Sequence, residues 1–368
     1  MLLLVLFYVF LFVVVIQLYF YVFLFGKFSF TKNKKIKKSD FSVSVIIAAR
    51  NEAKNLKENL PSILDQKYSD FEVIVINDAS TDGSNTILES FQNRYEHLKI
   101  LNLDCTNSYK GNKKNAIAKG IAFTSNNHLL FTDADCRPVS ENWISEMTSR
   151  FSNNKEIVLG YGGYQKIDNS FLNKLIRYET LLTVIQYFSY AKIGIPYMGV
   201  GRNLAYKKEQ FQKNRGFENH KHIRSGDDDL LINEISTQNN TDICFTKESF
   251  TVSKPKTSFK NWFQQKRRHI STATNYKPIH QFLLALFFAS QFLFWCLAII
   301  LLSFSLNWQY VTILIAIRLI SQYIAIQKSA SKLGEKDIVL FTPFLDFLLV
   351  FTQIGLFIIN LISKPKHW

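Results

Sequence analysis

His128-Leu129-Leu130-Phe131-Thr132-Asp133-Ala134-Asp135 decides how this chain is read. The apolar run ending at Phe131 is a buried strand, and two carboxylates one residue apart follow where it stops. Carboxylates held at a strand end can share one divalent cation. Working outward, the neighbouring segments alternate between strand and helix patterns. Ser42 to Ala49, Phe71 to Ile76 and Leu98 to Leu103 are strands. Glu52 to Leu64, the stretch from the 78–84 turn to Phe91, and Asn115 to Phe123 are helical. Pro61 is expected to interrupt the first of these helices. Such alternation predicts an α/β fold with a mostly parallel sheet. Ligands bind such sheets beyond the carboxyl ends of the strands, where Asn51-Glu52, Asp78 and Asp133/Asp135 all fall.

Beyond the Asp pair the pattern loosens. Ile157 to Tyr161 reads as a further strand and Ser170 to Tyr190 as a long helix rich in aromatics. The glycine-rich stretch Met198 to Asn203, the acidic cluster Gly226-Asp227-Asp228-Asp229-Leu230 and the basic amphipathic segment Phe259 to Ile270 follow. His220 and His222 lack a third ligand at metal-site spacing.

The 368 residues carry a net charge of +15, unevenly spread. Met1 to Phe25 holds no charge and is long enough to cross a bilayer. Its length, and the lack of preceding basic residues and of a small-residue cleavage site, favour a retained anchor over a signal peptide. Further apolar runs cover 282–306, 310–326 and 338–362. The expected plan is an anchor over 1–26, a basic linker over 27–40, an α/β domain over 41–279, a membrane region over 280–363 and a tail over 364–368. Lys32, Lys34, Lys35, Lys37 and Lys38 follow the first run. Lys254, Lys256, Lys260, Lys266, Arg267, Arg268 and Lys277 precede the second. This bias places the polar region in the cytoplasm, with anionic lipid headgroups, not nucleic acid, as the partner of the basic runs. Arg318 and Asp346 interrupt apolar runs and are expected to pair. Three full crossings after the polar region would put Lys364 and Lys366 outside, against the bias. Pro343 marks a break at 338–345 and leaves a re-entrant or interfacial course open. The four cysteines form no CxxC pair, so neither a zinc site nor a disulfide framework is indicated.

Six stretches carry a resemblance. They are Val45 to Glu52, Ile76 to Gly83, Lys113 to Ala116, Thr132 to Asp135, Gly226 to Leu230 and Gln265-Lys266-Arg267-Arg268-His269. In that order, over residues 42–270, they resemble membrane-bound family 2 glycosyltransferases with the GT-A fold. The resemblance implies a hexosyltransferase that moves a sugar, with inversion, from a UDP-sugar to a lipid or glycan acceptor, aided by Mn²⁺ or Mg²⁺. It implies that Glu52 and Asp78 receive the uridine and that Lys113 lies near the diphosphate. Asp133 and Asp135 would face the metal and ribose. Asp227 would be the catalytic base, although the sequence leaves Asp228 and Asp229 open. Gln265, Arg268 and His269 match the QxxRW motif, and Gly201, Arg202 and Asn203 match a loop lining the sugar pocket. Glu52 equally suits a first-turn acid, Asp78 a turn former and Lys113 a solvated side chain. Three departures stand out: Asn112 separates Gly111 from Lys113, Gly226 replaces the usual Glu, and His269 replaces the usual Trp. The last favours a lipid acceptor over the alternative of a processive polysaccharide synthase. A membrane scaffold that only binds nucleotide is the non-enzyme alternative. The expected location is the bacterial inner membrane, with the catalytic domain cytoplasmic.

Overall fold

A computed structural model describes residues 1–33, 40–104, 112–152, 154–223, 225–305 and 307–363. Lys34, Lys35, Lys37, Lys38, Cys105, Gly111, Lys364 and Lys366, all used in reading the sequence, lie outside the described residues.

Ten strands are described: β1 (Val43–Ala49), β2 (Phe71–Asp78), β3 (Leu98–Leu103), β4 (His128–Phe131), β5 (Cys136–Pro138), β6 (Ile157–Leu159), β7 (Gly162–Tyr164), β8 (Leu204–Lys207), β9 (Thr241–Ile243) and β10 (Thr251–Ser253). Seven form one sheet in the order β3-β2-β1-β4-β8-β6-β9, and β5-β10-β7 form a second. The first four are mutually parallel, with Ala49 opposite Asn77 and Ile46 opposite Phe131. Alternate residues of β1 serve opposite faces. Val43, Val45 and Ile47 join Leu56 and Leu60 of helix Ala53–Leu64 and Leu88 of helix Ser84–Gln92. Ile46 joins Ile117 and Ile121 of helix Lys113–Phe123 and the aromatic helix Phe171–Lys192.

Two expectations change. Helix Ala53–Leu64 runs through Pro61 instead of breaking there. The proline deprives only the Lys57 carbonyl of its amide, and Lys57 is exposed, so water can replace the bond. Strand β8, unread in the sequence, inserts antiparallel between β4 and β6. Its register sets Leu204 opposite Phe131, which brings 201–203 against the end of β4. Thr132 Oγ1 donates to the Arg202 carbonyl at 3.0 Å.

Among the described residues, four helical segments are long and apolar enough to cross a membrane: Leu2–Ser29, Pro278–Ser303, Trp308–Leu333 and Lys336–Ile362. The expected pair is present, with Arg318 Nη2 3.1 Å from Asp346 Oδ2 and both side chains fully buried. Gln17 accepts from Arg318 at 3.0 Å, Trp295 donates to Asp346 at 3.0 Å, and Gln322 donates to it at 2.7 Å. Tyr178 of the aromatic helix joins the cluster, its hydroxyl 3.1 Å from Asp346 Oδ1.

Three of the seven basic residues before the second apolar run have side-chain partners in the protein. Lys266 pairs with Glu179, Arg267 bonds Asn360 and Ser363, and Lys254 pairs with Glu58. Helix Phe259–Ile270 packs against the last apolar helix, so these side chains find protein partners first.

Candidate active site

Three chain reversals at the carboxyl ends of β1, β2 and β4 form the rim of the site. Asn51 and Ala79 adopt left-handed backbone (φ 56° and 55°), which costs about 1–3 kcal/mol each and persists where neighbours impose it. Here Asn51 Oδ1 accepts from the Thr81 amide at 2.8 Å, and Asp82 Oδ2 accepts from the Ala53 amide at 3.0 Å. The loops after β1 and β2 are thereby stitched together. Asp78, the last residue of β2, is buried and lines a cavity of about 850 Å³. Glu52 precedes helix Ala53–Leu64 and accepts from the Asn55 amide group. Burial raises its carboxyl, opposed by Asn55 and reinforced by the charges of Asp135 and Asp133.

Lys113 opens its helix. Asn112, the apparent interruption in the sequence, is the helix cap, its Oδ1 accepting from the Lys114 amide at 3.0 Å. The Lys113 ammonium lies 3.0 Å from Asp133 Oδ1 and 2.9 Å from Asp227 Oδ2. Burial opposes its charge, but Asp133, Asp227 and Asp228 together hold its pKa well above the usual lysine range.

Asp133, Asp135 and Cys136 bring ligand atoms within 4.8 Å of one another. Burial, then the charge of Asp133, raises the Asp135 carboxyl. The Cys136 thiol donates to Asp135 Oδ1 at 3.3 Å, and burial pushes its pKa well up. Two crowded hard oxygens beside a thiol kept protonated fit Mg²⁺ or Mn²⁺ better than a soft metal.

The three aspartates of the acidic cluster have different surroundings. Asp228 caps helix Asp229–Ile235, accepting from the Asp229 amide at 2.8 Å and from the Gly201 amide at 2.6 Å. Burial, then Asp227 and Asp229, pushes its pKa up to about 7. Asp229 accepts from the Tyr276 hydroxyl at 2.6 Å, the Leu230 amide at 2.8 Å and the Thr272 hydroxyl. All three line the cavity, but only Asp227 of them pairs with Lys113. Gly226 turns with φ 89°, and a Cβ there would fall 2.4 Å from Leu230 Cδ1. The local turn therefore has no room for the Glu usual at this position in the family it resembles.

Gln265, Arg268 and His269, on helix Phe259–Ile270, all line the cavity, as does Gly201. Lost hydration against the cavity wall, then the charges of Lys266, Arg202, Arg268 and Lys113, lower the His269 imidazole pKa, although the side chain keeps an exposed edge. The Arg202 guanidinium lies over the Tyr164 ring at 4.4 Å and donates to Ser253 Oγ at 3.2 Å.

Asn203 does not join this group. It is fully buried, accepting from Trp143 Nε1 at 3.1 Å and donating to the carbonyls of Tyr161 and Ser249 at 2.9 and 2.7 Å. Its side chain welds β8 to neighbouring loops and has no donor left for a sugar. Sequence reasoning missed Arg50, Tyr164, Glu179 and Thr183, which line the cavity. Glu179 had a signal, as the sole acid in the aromatic helix. Leu284, Leu349, Gln353 and Leu356 extend the walls into the apolar helices.

The family model described as Glycosyl transferase family 2 matches residues 44–219. Glycosyltransferase AglE of Haloferax volcanii is 35% identical over 113 residues, 30% of this chain and 35% of that protein. Poly-beta-1,6-N-acetyl-D-glucosamine synthase of Staphylococcus epidermidis is 30% identical over 93 residues, 25% of this chain and 21% of that protein. The chain thus spans about a third or less of these curated relatives. In fold, it is similar to a mannosyltransferase from Pyrobaculum calidifontis solved with GDP-Man and Mn²⁺. The TM-score is 0.54 at 16% identity, covering 91% of this chain and 99% of that one. Residues 44–219 thus carry a glycosyltransferase family 2 domain, on a GT-A α/β fold and flanked by helices long and apolar enough to cross a membrane.

Proposed function

We propose that the protein transfers a sugar, with inversion, from a nucleotide-diphosphate sugar to a membrane-associated lipid or glycan. One observation carries the reading: Lys113 joins Asp227 to Asp133 inside a cavity that continues to Leu284, Leu349 and Leu356. Asp78 and Glu52 receive the nucleoside, through hydrogen bonds to ribose hydroxyls and base edge. Lys113 and Arg268 neutralise diphosphate charge. Asp135 and Asp133 would hold a divalent cation, which supplies Lewis-acid stabilisation of the leaving diphosphate. Asp227 takes the proton of the acceptor hydroxyl as that oxygen bonds to the anomeric carbon. The bond from that carbon to the diphosphate oxygen breaks, and the nucleotide leaves with the electron pair. Asp227 suits this role best, since Asp228 and Asp229 are spent on backbone and hydroxyl donors. Gln265 and His269 flank the acceptor side.

Uracil is the base expected from the sequence, and GDP-Man in the fold neighbour makes guanine the competing one. A donor screen with UDP- and GDP-sugars, with membrane lipids as acceptors and Mn²⁺ present, tests the reading. Asp227→Asn should abolish transfer while donor binding persists. Transfer that survives this change would remove Asp227 as base. Donor binding without transfer in the unaltered protein would instead favour a nucleotide-binding scaffold.

A further inference from the structure

Both ends of the last apolar segment are tied to the catalytic domain. At its start, Lys166 Nζ donates to the Gly334 carbonyl at 2.9 Å and meets Asp337 at 2.6 Å. Arg177 pairs with Glu335 and, at 2.7 Å, with Asp337, and the Tyr161 hydroxyl lies 3.0 Å from Glu335 Oε1. At its end, Arg267 Nε donates to Asn360 Oδ1 at 2.8 Å and Nη2 to Ser363 Oγ at 2.9 Å, while Asn360 donates back to the Arg267 carbonyl at 3.2 Å.

The ring contacts give the direction of the helix between these ties. Trp295 meets Phe347 at 5.4 Å, Phe292 meets Phe351 at 6.0 Å, and Phe288 meets Phe357 at 5.3 Å. Helix Thr342–Ile362 therefore runs antiparallel to Pro278–Ser303. The latter leaves the domain, so the former returns to it. The outward limb is only the 3₁₀ stretch Lys336–Phe341. At ~2 Å per residue it advances about 12 Å, far short of the ~30 Å hydrocarbon core. Ile338 and Val339 of that limb are buried in protein, as irregular backbone at membrane depth requires. Asp346 then locks the turn-back to Gln291, Trp295, Arg318 and Gln322, near the middle of their helices.

We propose that Lys336–Ile362 dips into the bilayer and returns without crossing, and that its Leu349–Leu356 face, with Leu284, cradles the acceptor, a lipid bearing a free hydroxyl. This assignment rests on the transferase reading above. Three leucines suit a hydrocarbon chain and offer nothing to a soluble glycan. Gln353, Glu179 and Thr183 line the same cavity and offer hydrogen bonds to the lipid's head. A hydroxyl acceptor, unlike a phosphate one, needs the base that Asp227 supplies. The return also removes the conflict between three full crossings and the charge bias at Lys364 and Lys366.

The test uses the full chain in proteoliposomes of known orientation, with single cysteines at Ser305, Lys336 and Ser363 and a membrane-impermeant maleimide. Ser363→Cys and Lys336→Cys should label from one side and Ser305→Cys from the other. Labelling of Ser363→Cys together with Ser305→Cys would overturn the return. A second arm uses diacylglycerol in mixed micelles and a soluble oligosaccharide as probes. Leu356→Trp should raise the diacylglycerol KM by about tenfold or more, with the donor KM little changed. Leu349→Ala, which adds no bulk, should raise it less. An unchanged diacylglycerol KM, or transfer to the oligosaccharide alone, would overturn the lipid cradle. Absence of any transfer by the unaltered protein would instead defeat the transferase reading, while the labelling pattern would still decide the return.

Discussion

The Lys113 ammonium sits 2.9 Å from Asp227 Oδ2 and so ties the expected base to the loop after β4, where it also meets Asp133 at 3.0 Å. One cation thus balances a carboxylate from each half of the site. Lys113→Met should lower kcat by about 10²–10³, the usual loss when a charge-stabilising donor is removed. Lys113→Arg keeps the charge and should retain more activity. Steady-state kinetics and nucleotide titration of both variants check this.

Chelation should abolish transfer, with Mn²⁺ or Mg²⁺ restoring it. The unaltered protein should bind Mn²⁺ in a titration followed by electron paramagnetic resonance, and Asp135→Asn should weaken that binding by about tenfold or more. Tight Mn²⁺ binding by a protein lacking both Asp133 and Asp135 would place the cation elsewhere.

Asp228 provides a pH test. Its carboxyl is pushed up to about 7, by burial and then by Asp227 and Asp229. In the unfolded chain it returns to the ordinary aspartate range, so between about pH 4 and 7 the folded state holds the extra proton. Stability from this group is full below that window and is lost as pH rises through it, at up to about 1.4 kcal/mol per unit. Asp228→Asn should flatten the slope of thermal midpoint against pH between 4 and 7. An unchanged slope would refute the assignment.

Gly226→Ala should destabilise the protein by about 1–3 kcal/mol. The left-handed turn disfavours any side chain, and the new Cβ would strike Leu230 at 2.4 Å. Thermal unfolding in detergent measures the loss, and Gly226→Ala should cost less when made in a Leu230→Ala background, which carries its own cavity penalty but removes the clash.

Arg318→Leu or Asp346→Leu alone leaves a buried charge without its partner and should cost about 3–5 kcal/mol. Replacing both by leucine should restore much of the loss, because two desolvation penalties vanish together. A double variant as unstable as the singles would mean that the surrounding Gln17, Gln322 and Tyr178 network, rather than the ion pair, dominates.

Much of this site was legible because its residues lie in short local patterns. Asp78 and Asp133/Asp135 follow apolar strands, and a parallel sheet puts the ends of such strands on one rim. Asn203 and Gly201 show where local pattern fails. They sit two residues apart, yet the Gly201 amide faces Asp228 in the cavity while Asn203 is sealed against Trp143. Nothing in the glycine-rich stretch separates them, since the antiparallel insertion of β8 sets which side each faces. Glu179 and Arg267 were likewise unreadable as partners of Lys266 and Asn360, because those contacts join segments far apart in the chain.

The sequence by itself determined the α/β alternation, the apolar segments and the order of the acidic and basic motifs. Each is a matter of residue type and short-range period. Only the tertiary structure distinguished Asp227 from Asp228 and Asp229, since identical side chains differ in what lies across from them. It also showed both ends of Lys336–Ile362 bound to the catalytic domain. Hydropathy records how much hydrocarbon a segment can bury and carries no direction. The direction comes from ring contacts with Pro278–Ser303 and from the charges that hold the two ends.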